Sequence, residues 1–415
     1  MNSRKDLSEN RQSQILNLLS ILSPGAVQEM LLDRAKSAAL AFGVELLEQD
    51  VVALCGKPFE RKNGELCHRG GSEMSSIIVD GVKYGTRRPR VRNEDGEVEL
   101  PMLAKLRDRD LLDGQMLSKM VRGVSTRNYE DVVSGYSKKL GVSKSSVSRA
   151  FIRASQKDLD ALNGADLSPY SFVAVMIDGV EIAGRTVVAA LGVTNTLEKV
   201  PLGIREGDTE NSAVVKDLLA SIIERGFVLH CEKLLAVLDG AKALKKAVRD
   251  VFGESVLIQR CWLHKLRNAK KYLSQQHHPE LFRRMKKLMT IVRYDAAVKE
   301  LQALIYWAGE ISHETQGSFE EVGLELLTVH RLGLPKLLRE SLSTTNAVES
   351  LIGVVRDKTA RVKNWKSVKT KQRLRWVASS IEFHRKKMRR LKGYQQSHVL
   401  IAALGGAVAK QKLAA

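Results

Sequence analysis

Residues 171–262 constrain the fold more than any other part of the chain. Unbroken apolar runs occur at 172–177 and 186–193, a shorter one at 200–204, and two more at 234–238 and 256–258. An amphipathic helix is predicted over 212–225, and another helix begins at Leu263. Runs this short, with no polar alternation, are strands covered on both faces. They predict a mixed α/β sheet flanked by helices. In such a sheet ligands gather at the carboxyl ends of the strands.

Two acids sit at those ends. Asp178 follows Val173-Ala174-Val175-Met176-Ile177 and precedes Gly179; Asp239 follows Leu234-Leu235-Ala236-Val237-Leu238 and precedes Gly240. Asp-Gly after a strand is also an ordinary turn, so either acid alone says little. Their matched placement in one sheet is the informative feature. A third acid, Glu349, lies in Ser343-Thr344-Thr345-Asn346-Ala347-Val348-Glu349. Thr344 or Thr345 is expected to cap a helix there, with Glu349 in its first turns and Asn346 three residues earlier on the same face. A Glu at that position by itself reads as a partner of the helix dipole. Three carboxylates held by rigid elements can bind the pair of divalent cations, about 4 Å apart, that phosphodiester cleavage uses.

Elsewhere the texture changes. Residues 11–50 read as helical. Glycines crowd residues 55–103, where 76–84 reads as strand, turn, strand. Arg87, Arg88, Arg90 and Arg92 follow with no acid among them, which fits either phosphate contact or a solvated basic loop. Residues 129–139, the turn Leu140-Gly141-Val142 and a second helix capped by Ser143 form a helix-turn-helix pattern. Val147, Ala150 and Phe151 would face inward, while Lys144, Ser145, Ser148, Arg149 and Arg153 would face a major groove. An ordinary helical hairpin with a basic face is the plain alternative. Residues 265–342 lose strand texture and read as all-helical. From 356 to 392 there are 15 Lys or Arg against two acids, and Arg389 lies in that basic stretch.

The formal net charge of +20 calls for a polyanionic partner, nucleic acid or an anionic surface. No apolar run is long enough to span a membrane, and residues 1–10 carry no signal-peptide core, so the cell interior is the expected location. Four scattered cysteines exclude a disulfide framework. Cys55, Cys67 and His68 lack the second cluster a zinc site needs.

Asp178, Asp239 and Glu349, with a long helical segment between the last two, resemble the acidic triad of the Mutator-like transposases of bacterial insertion sequences. Gln259-Arg260-Cys261-Trp262-Leu263-His264, followed by Arg267-Asn268, is similar to that family's Cys-x-x-His signature. The segment 343–350 is similar to its motif around the third acid. The resemblance covers roughly residues 120–390.

It implies an RNase H-like catalytic core interrupted by an all-α insertion, and two Mg²⁺ ions, replaceable by Mn²⁺, on the three acids. It also implies binding of double-stranded DNA at inverted repeats and in the target, by a homodimer or larger homo-oligomer. The expected organisation is a helical segment at 1–50, a small β segment at 51–115 and a helix-turn-helix at 116–165. The core would occupy 166–264 and 343–415, around an insertion at 265–342. Arg260, Cys261, His264 and Asn346 would support the site, although structural packing explains Cys261 and His264 equally well, and as a zinc pair they lack partners. Trp307 is either helical core or a base-stacking aromatic. A nuclease that cuts without joining and a non-catalytic helix-turn-helix regulator are the alternatives.

Overall fold

The computed structural model describes residues 23–59, 67–79, 82–107, 117–118, 120–123, 144–207, 212–366 and 368–412. They divide into two compact units, one ending at Ala154 and the other beginning at Ser155 and including Val121–Gly123.

The first unit holds α1 (Pro24–Cys55), β1 (His68–Val79), β2 (Val82–Asn93), β3 (Gly96–Val98) and α2 (Pro101–Leu106). The strands form an antiparallel sheet in which Val79 pairs with Val82, so the two expected strands are present and paired; residues 80–81 between them lie outside the described residues. Leu47, Val51 and Cys55 of α1 pack on Ile77, Val91, Leu100 and Leu103. The arginine-rich segment is strand, not loop. Arg88 bridges Glu73 and Glu97 at 2.6 and 2.5 Å, and Arg90 reaches Glu97 at 2.6 Å. Arg87 and Arg92 are exposed. The helical expectation for residues 11–22 lies outside the described residues.

Most of the proposed helix-turn-helix, residues 124–143, also lies outside them. Its second helix is α3 (Lys144–Gly164), and the side chains of Lys144, Ser145 and Val147 are not among those described. Ala150 and Phe151 are buried and Arg149 and Arg153 exposed, as expected, whereas Ser148, expected to face outward, is half-buried. The helix is longer than a binding motif needs. Leu159 and Leu162 belong to the core of the second unit.

That unit is built on β4 (Phe172–Ile182), β5 (Arg185–Thr194), β6 (Lys199–Gly207), β7 (Val228–Cys231), β8 (Leu234–Leu238), β9 (Val256–Arg260) and β10 (Ala407–Lys412). β4, β5 and β6 are antiparallel; β8 and β9 continue the sheet parallel to β4. β7 and β10, which the sequence reading missed, form a short antiparallel pair that joins the start of β4. β7 has only four residues, and β10 falls in a stretch expected as helix or tail.

Strand parity sorts the two faces. Val175 and Ile177 of β4 pack with α4 (Ser212–Glu224) and α5 (Lys242–Phe252). Ala174, Met176 and Val180 pack with α12 (Asn346–Thr359) and α13 (Gln372–Arg385). Each fully buried Leu, Ile or Val contributes about 1.5–3 kcal/mol, so these two layers dominate the fold's stability.

Between β9 and α12 the described chain is helical: α6 (Trp262–Lys271), α7 (His278–Thr290), α8 (Tyr294–Gly309), α9 (His313–Val322), α10 (Thr328–Arg331) and α11 (Lys336–Leu342), with short 3₁₀ turns between them. These helices share their own apolar core around Leu281, Leu301 and Phe319. Gln259, fully buried, ties them to the sheet by donating to the Leu326 carbonyl and accepting from the Val329 amide. Trp307 is half-buried on α8, with the Arg284 guanidinium 5.0 Å from its ring centre, the packing of a core-edge aromatic. A last helix, α14 (Ser397–Ala403), precedes β10.

Candidate active site

Asp178 does not end its strand. β4 runs on to Ile182, Asp178 pairs with Ala189, and the hairpin turns at Ala183-Gly184, both at positive φ (50° and 71°). Those angles suit a two-residue turn whose twist matches the strands, so the ordinary turn reading of Asp178-Gly179 is removed. What ends at Ile177 is the parallel pairing, Ile177 to Leu238. Asp178 and Asp239 are therefore the next residues of two neighbouring strands. Asp239 does begin a turn, its Oδ1 accepting from the Ala241 amide at 2.8 Å.

Parity places Asp178 on the face that carries α12, whose first turn holds Glu349. Asp178 is 5% exposed and its Oδ1 accepts from the Gly179 amide at 2.9 Å. Its pKa is pushed up to about 6, first by burial; the His264 charge opposes this, while Asp239 and Glu349 add to it. Asp239 and Glu349 thus lie near enough to Asp178 to disfavour its charge.

Glu349 is held on both oxygens. Thr345 Oγ1 donates to Oε1 at 2.9 Å and Arg267 Nη2 to Oε2 at 3.1 Å, with His264 Nδ1 3.6 Å from Oε1. Thr345 occupies the N-cap position but makes no capping bond with its side chain; of the two expected caps it is Thr344 whose hydroxyl accepts from the Asn346 amide, at 3.4 Å. Thr345 links Glu349 to Cys261 instead, its amide and hydroxyl lying 3.3 and 3.2 Å from Sγ. Sequence reasoning named Thr345 only as a possible cap and Arg267 only within the family signature, neither as a partner of Glu349. Their spacing held the signal: Thr345 is four residues before Glu349, and Arg267 is three after His264, each one helical turn away. Asn346, expected beside the acids, is exposed at the start of α12.

Cys261 is fixed by its amide bond to the Leu238 carbonyl at 2.7 Å, at the end of β8. Burial opposes ionisation of its thiol, but hydrogen bonds with His264 and Thr345 outweigh that and lower its pKa. His264 is raised to about 9, mainly by its hydrogen bond with Cys261, against burial, with the charges of Cys261, Asp178 and Glu349 helping. Among the described residues, Cys261, His264 and Glu349 have one potential ligand atom each, all within 4.8 Å of one another. The expectation that the Cys–His pair lacks a third partner is corrected on that point. The sulfur already receives Thr345, however, which makes the trio a hydrogen-bonded brace for Glu349.

The three acids are not drawn together within that same 4.8 Å. A pair of ions does not require it, since one shared carboxylate can stand between two outer ones. The donor set fits hard divalent cations: carboxylate oxygens, one of them buried in a place that disfavours its charge.

The arrangement is an acidic cluster at the switch between the antiparallel and parallel halves of a mixed sheet. The family described as "Transposase, Mutator family" matches residues 12–380, and the chain belongs to it. It is 28% identical over 225 residues to the transposase for insertion sequence element IS6120 of Mycolicibacterium smegmatis, covering 53% of this chain and 68% of that protein. It is 27% identical over 355 residues to the transposase for insertion sequence element ISRM5 of Rhizobium meliloti (strain 1021), covering 82% and 85%. A match to the transposase for insertion sequence element IST2 of Acidithiobacillus ferrooxidans is 28% identical over 174 residues and spans 57% of that protein. Among the described residues no helix is long and apolar enough to cross a membrane.

Proposed function

We propose that the protein cleaves and joins double-stranded DNA at the ends of an insertion sequence, with Asp178, Asp239 and Glu349 as its catalytic acids. One observation carries this reading: a nearly buried Asp178 carboxyl, next in register to Asp239 and flanked by Glu349, in a chain of the Mutator transposase family. The strand order β6-β5-β4-β8-β9, with Asp178 on β4 and Asp239 just past the end of its neighbour β8, supports an RNase H-like core interrupted by the helical block.

The three carboxylates would hold two Mg²⁺ ions, or Mn²⁺, which activate water and stabilise charge on the scissile phosphate. Arg267, Thr345 and His264 fix the orientation of Glu349. The raised pKa of His264 favours its protonated form, whose charge opposes the burial-driven rise at Asp178. In the first step the water oxygen joins phosphorus, and a 3′-oxygen leaves and takes a proton. In the second, that 3′-hydroxyl attacks a phosphodiester of the target, displacing another 3′-oxygen. Exposed Arg149 and Arg153 of α3 would contact the end DNA in the manner of a helix-turn-helix, and exposed Arg389 would meet phosphates.

The test uses the full chain, duplexes carrying the element's ends, and Mg²⁺ or Mn²⁺. Wild type cuts and joins; Asp239→Asn loses cleavage by about a thousandfold or more while binding stays near wild type, because the amide cannot hold the cation. Cutting without joining would turn the assignment to a nuclease, and binding without cutting to a regulator.

A further inference from the structure

Next to the acidic site, between β9, α6 and α9, lies a cavity of about 200 Å³ that the mechanism above does not use. Gly240, Arg260, Lys265, Asn268, Lys271 and Glu321 line it. Three cations face one carboxylate. Gly240, directly after Asp239, makes one wall: its carbonyl accepts from Arg260 Nη2 at 2.8 Å. A Cβ there would stand 3.2 Å from Asn268 Nδ2 and 3.7 Å from Arg260 Nη2, narrowing the space between them.

Arg260 is the unusual member. It is 2% exposed, yet its Nε and Nη1 find no hydrogen-bond acceptor among the described residues. Glu325 stands 3.8 Å from Nη1, beyond hydrogen-bond reach, and Glu321 engages only Nη2, at 3.2 Å. Those two atoms are closed off from the cavity as well as from solvent, so the guanidinium meets it through its positive charge and through Nη2, which sits between the Gly240 carbonyl and Glu321. Lys265 is also buried; its ammonium bonds Ser318 and its pKa is lowered to about 8, chiefly by burial, with Arg260 adding to the effect against Glu321.

We propose that this cavity binds one phosphate group of the DNA strand being processed, placing it beside Asp239 and so setting which bond meets the acids. This rests on the DNA-processing reading for the identity of the strand; the anion site itself does not. The excess of cations over acids favours a phosphate over an uncharged base. A free phosphate or nucleotide shares that chemistry, so the experiment separates the sources.

In the first arm the full chain, without DNA, is acetylated in inorganic pyrophosphate or in chloride of equal ionic strength, and each lysine is read by mass spectrometry. Pyrophosphate should slow modification of Lys271 and Lys265 but not of the exposed Lys299. Arg260→Gln should weaken the pyrophosphate concentration dependence by about tenfold or more. Asn268→Asp, which brings a negative charge to the same wall and disturbs the core less, should do likewise. Equal protection at Lys299, or protection unchanged in both variants, overturns the proposal whether or not the protein cuts DNA.

In the second arm duplexes carry a single neutral methylphosphonate at each position near the cut. Wild type should lose cleavage at one particular phosphate, and Asn268→Asp should become indifferent to that substitution while still sensitive elsewhere. If Asn268→Asp keeps the wild-type sensitivity pattern, the occupant is a free anion and not the strand. If wild type shows pyrophosphate protection but no cleavage of any duplex, the anion site stands and the transposase reading falls.

Discussion

In the three-stranded sheet of the first unit, the guanidiniums of Arg88 and Arg90 end on Glu73 and Glu97 at 2.5–2.6 Å. On the large sheet the Asp178 carboxyl lies beside two further acids, and a wall away the Arg260 guanidinium keeps idle donors. Both regions concentrate charge, but in the second the pairing is incomplete: Arg260 meets Glu321 at 3.2 Å through one nitrogen and Glu325 only at 3.8 Å. Paired charge on a surface mainly shapes a sheet and adds little stability. Unresolved buried charge destabilises the fold and persists where a ligand resolves it.

The comparison makes its strongest claim at Asp178. Asp178→Asn should abolish cleavage and, in chelator, make the protein more stable. The carboxyl's pKa is raised from 3.8 to about 6, so charging it in the fold is unfavourable. The stability this group allows is fully present below pH 3.8 and is lost as pH rises to about 6 and beyond. The amide mimics the uncharged form and should recover roughly 2–3 kcal/mol at pH 8. Denaturant titrations of both proteins in chelator measure this, and the difference should vanish near pH 3. A variant no more stable than wild type at pH 8 would mean that Asp178 is comfortable as an anion, and the contrast with the arginine sheet would collapse.

Lys265 sharpens the same point with the opposite sign of charge. Its folded pKa, about 8, lies below the ordinary 10.5. Between those values the unfolded chain holds the proton and the fold does not, so stability should rise with pH across that window. The rise is at most roughly 2–3 kcal/mol. Lys265→Met should remove it, and the pH profile of Lys265 acetylation should show a midpoint near 8. A midpoint above 10 would show a solvated ammonium and no frustrated wall.

Much of this contrast could be read from the sequence, and part could not. The strand at 234–238 was legible to the residue, because an unbroken apolar run has one reading in a buried sheet. The end of β4 was not. Asp178-Gly179 carries turn chemistry, and only pairing with β5 shows that the strand continues. β7 and β10 are short and gain their identity from their neighbours. The three acids could be named, and so could Cys261 and His264 beside them, but Thr345 could not be read as a support: locally it is a cap, and only the approach of Cys261 from a segment 84 residues away ties it to the site. The arginine segment failed for the same reason. Its acids, Glu73 and Glu97, sit outside the run and reach it only through strand pairing.

Arg149 represents a third condition, a cation exposed on α3. Arg149→Ala should weaken binding to the element's ends more than to scrambled duplexes, since a bidentate arginine–guanine contact carries about 1–3 kcal/mol of discrimination. Arg389→Ala should weaken both duplexes alike and reduce the salt slope by about one. Equal losses on both duplexes for Arg149→Ala would remove base reading from this helix.

The smallest effect is expected where charge is already paired. If Glu73 and Glu97 neutralise Arg88 and Arg90, then Arg88→Ala and Arg90→Ala should leave DNA affinity and its salt dependence nearly unchanged. Glu97→Gln should act in the other direction. It keeps the side-chain shape and removes a negative charge that accepts from both arginines, releasing chiefly Arg90 to meet phosphates, since Arg88 keeps Glu73 at 2.6 Å. Binding to any duplex should tighten modestly, with the log–log salt slope steeper by about one for each arginine released and no change in sequence preference. Titrations of the four proteins on one scrambled duplex at several salt concentrations give the slopes directly. A loss of affinity in Arg88→Ala as large as that in Arg389→Ala would show that the carboxylates do not mask the strand. The arginine sheet would then join the DNA-facing surface, and the division between resolved and unresolved charge would have to be drawn inside it, between Arg88 and Arg90 on one side and the exposed Arg87 and Arg92 on the other.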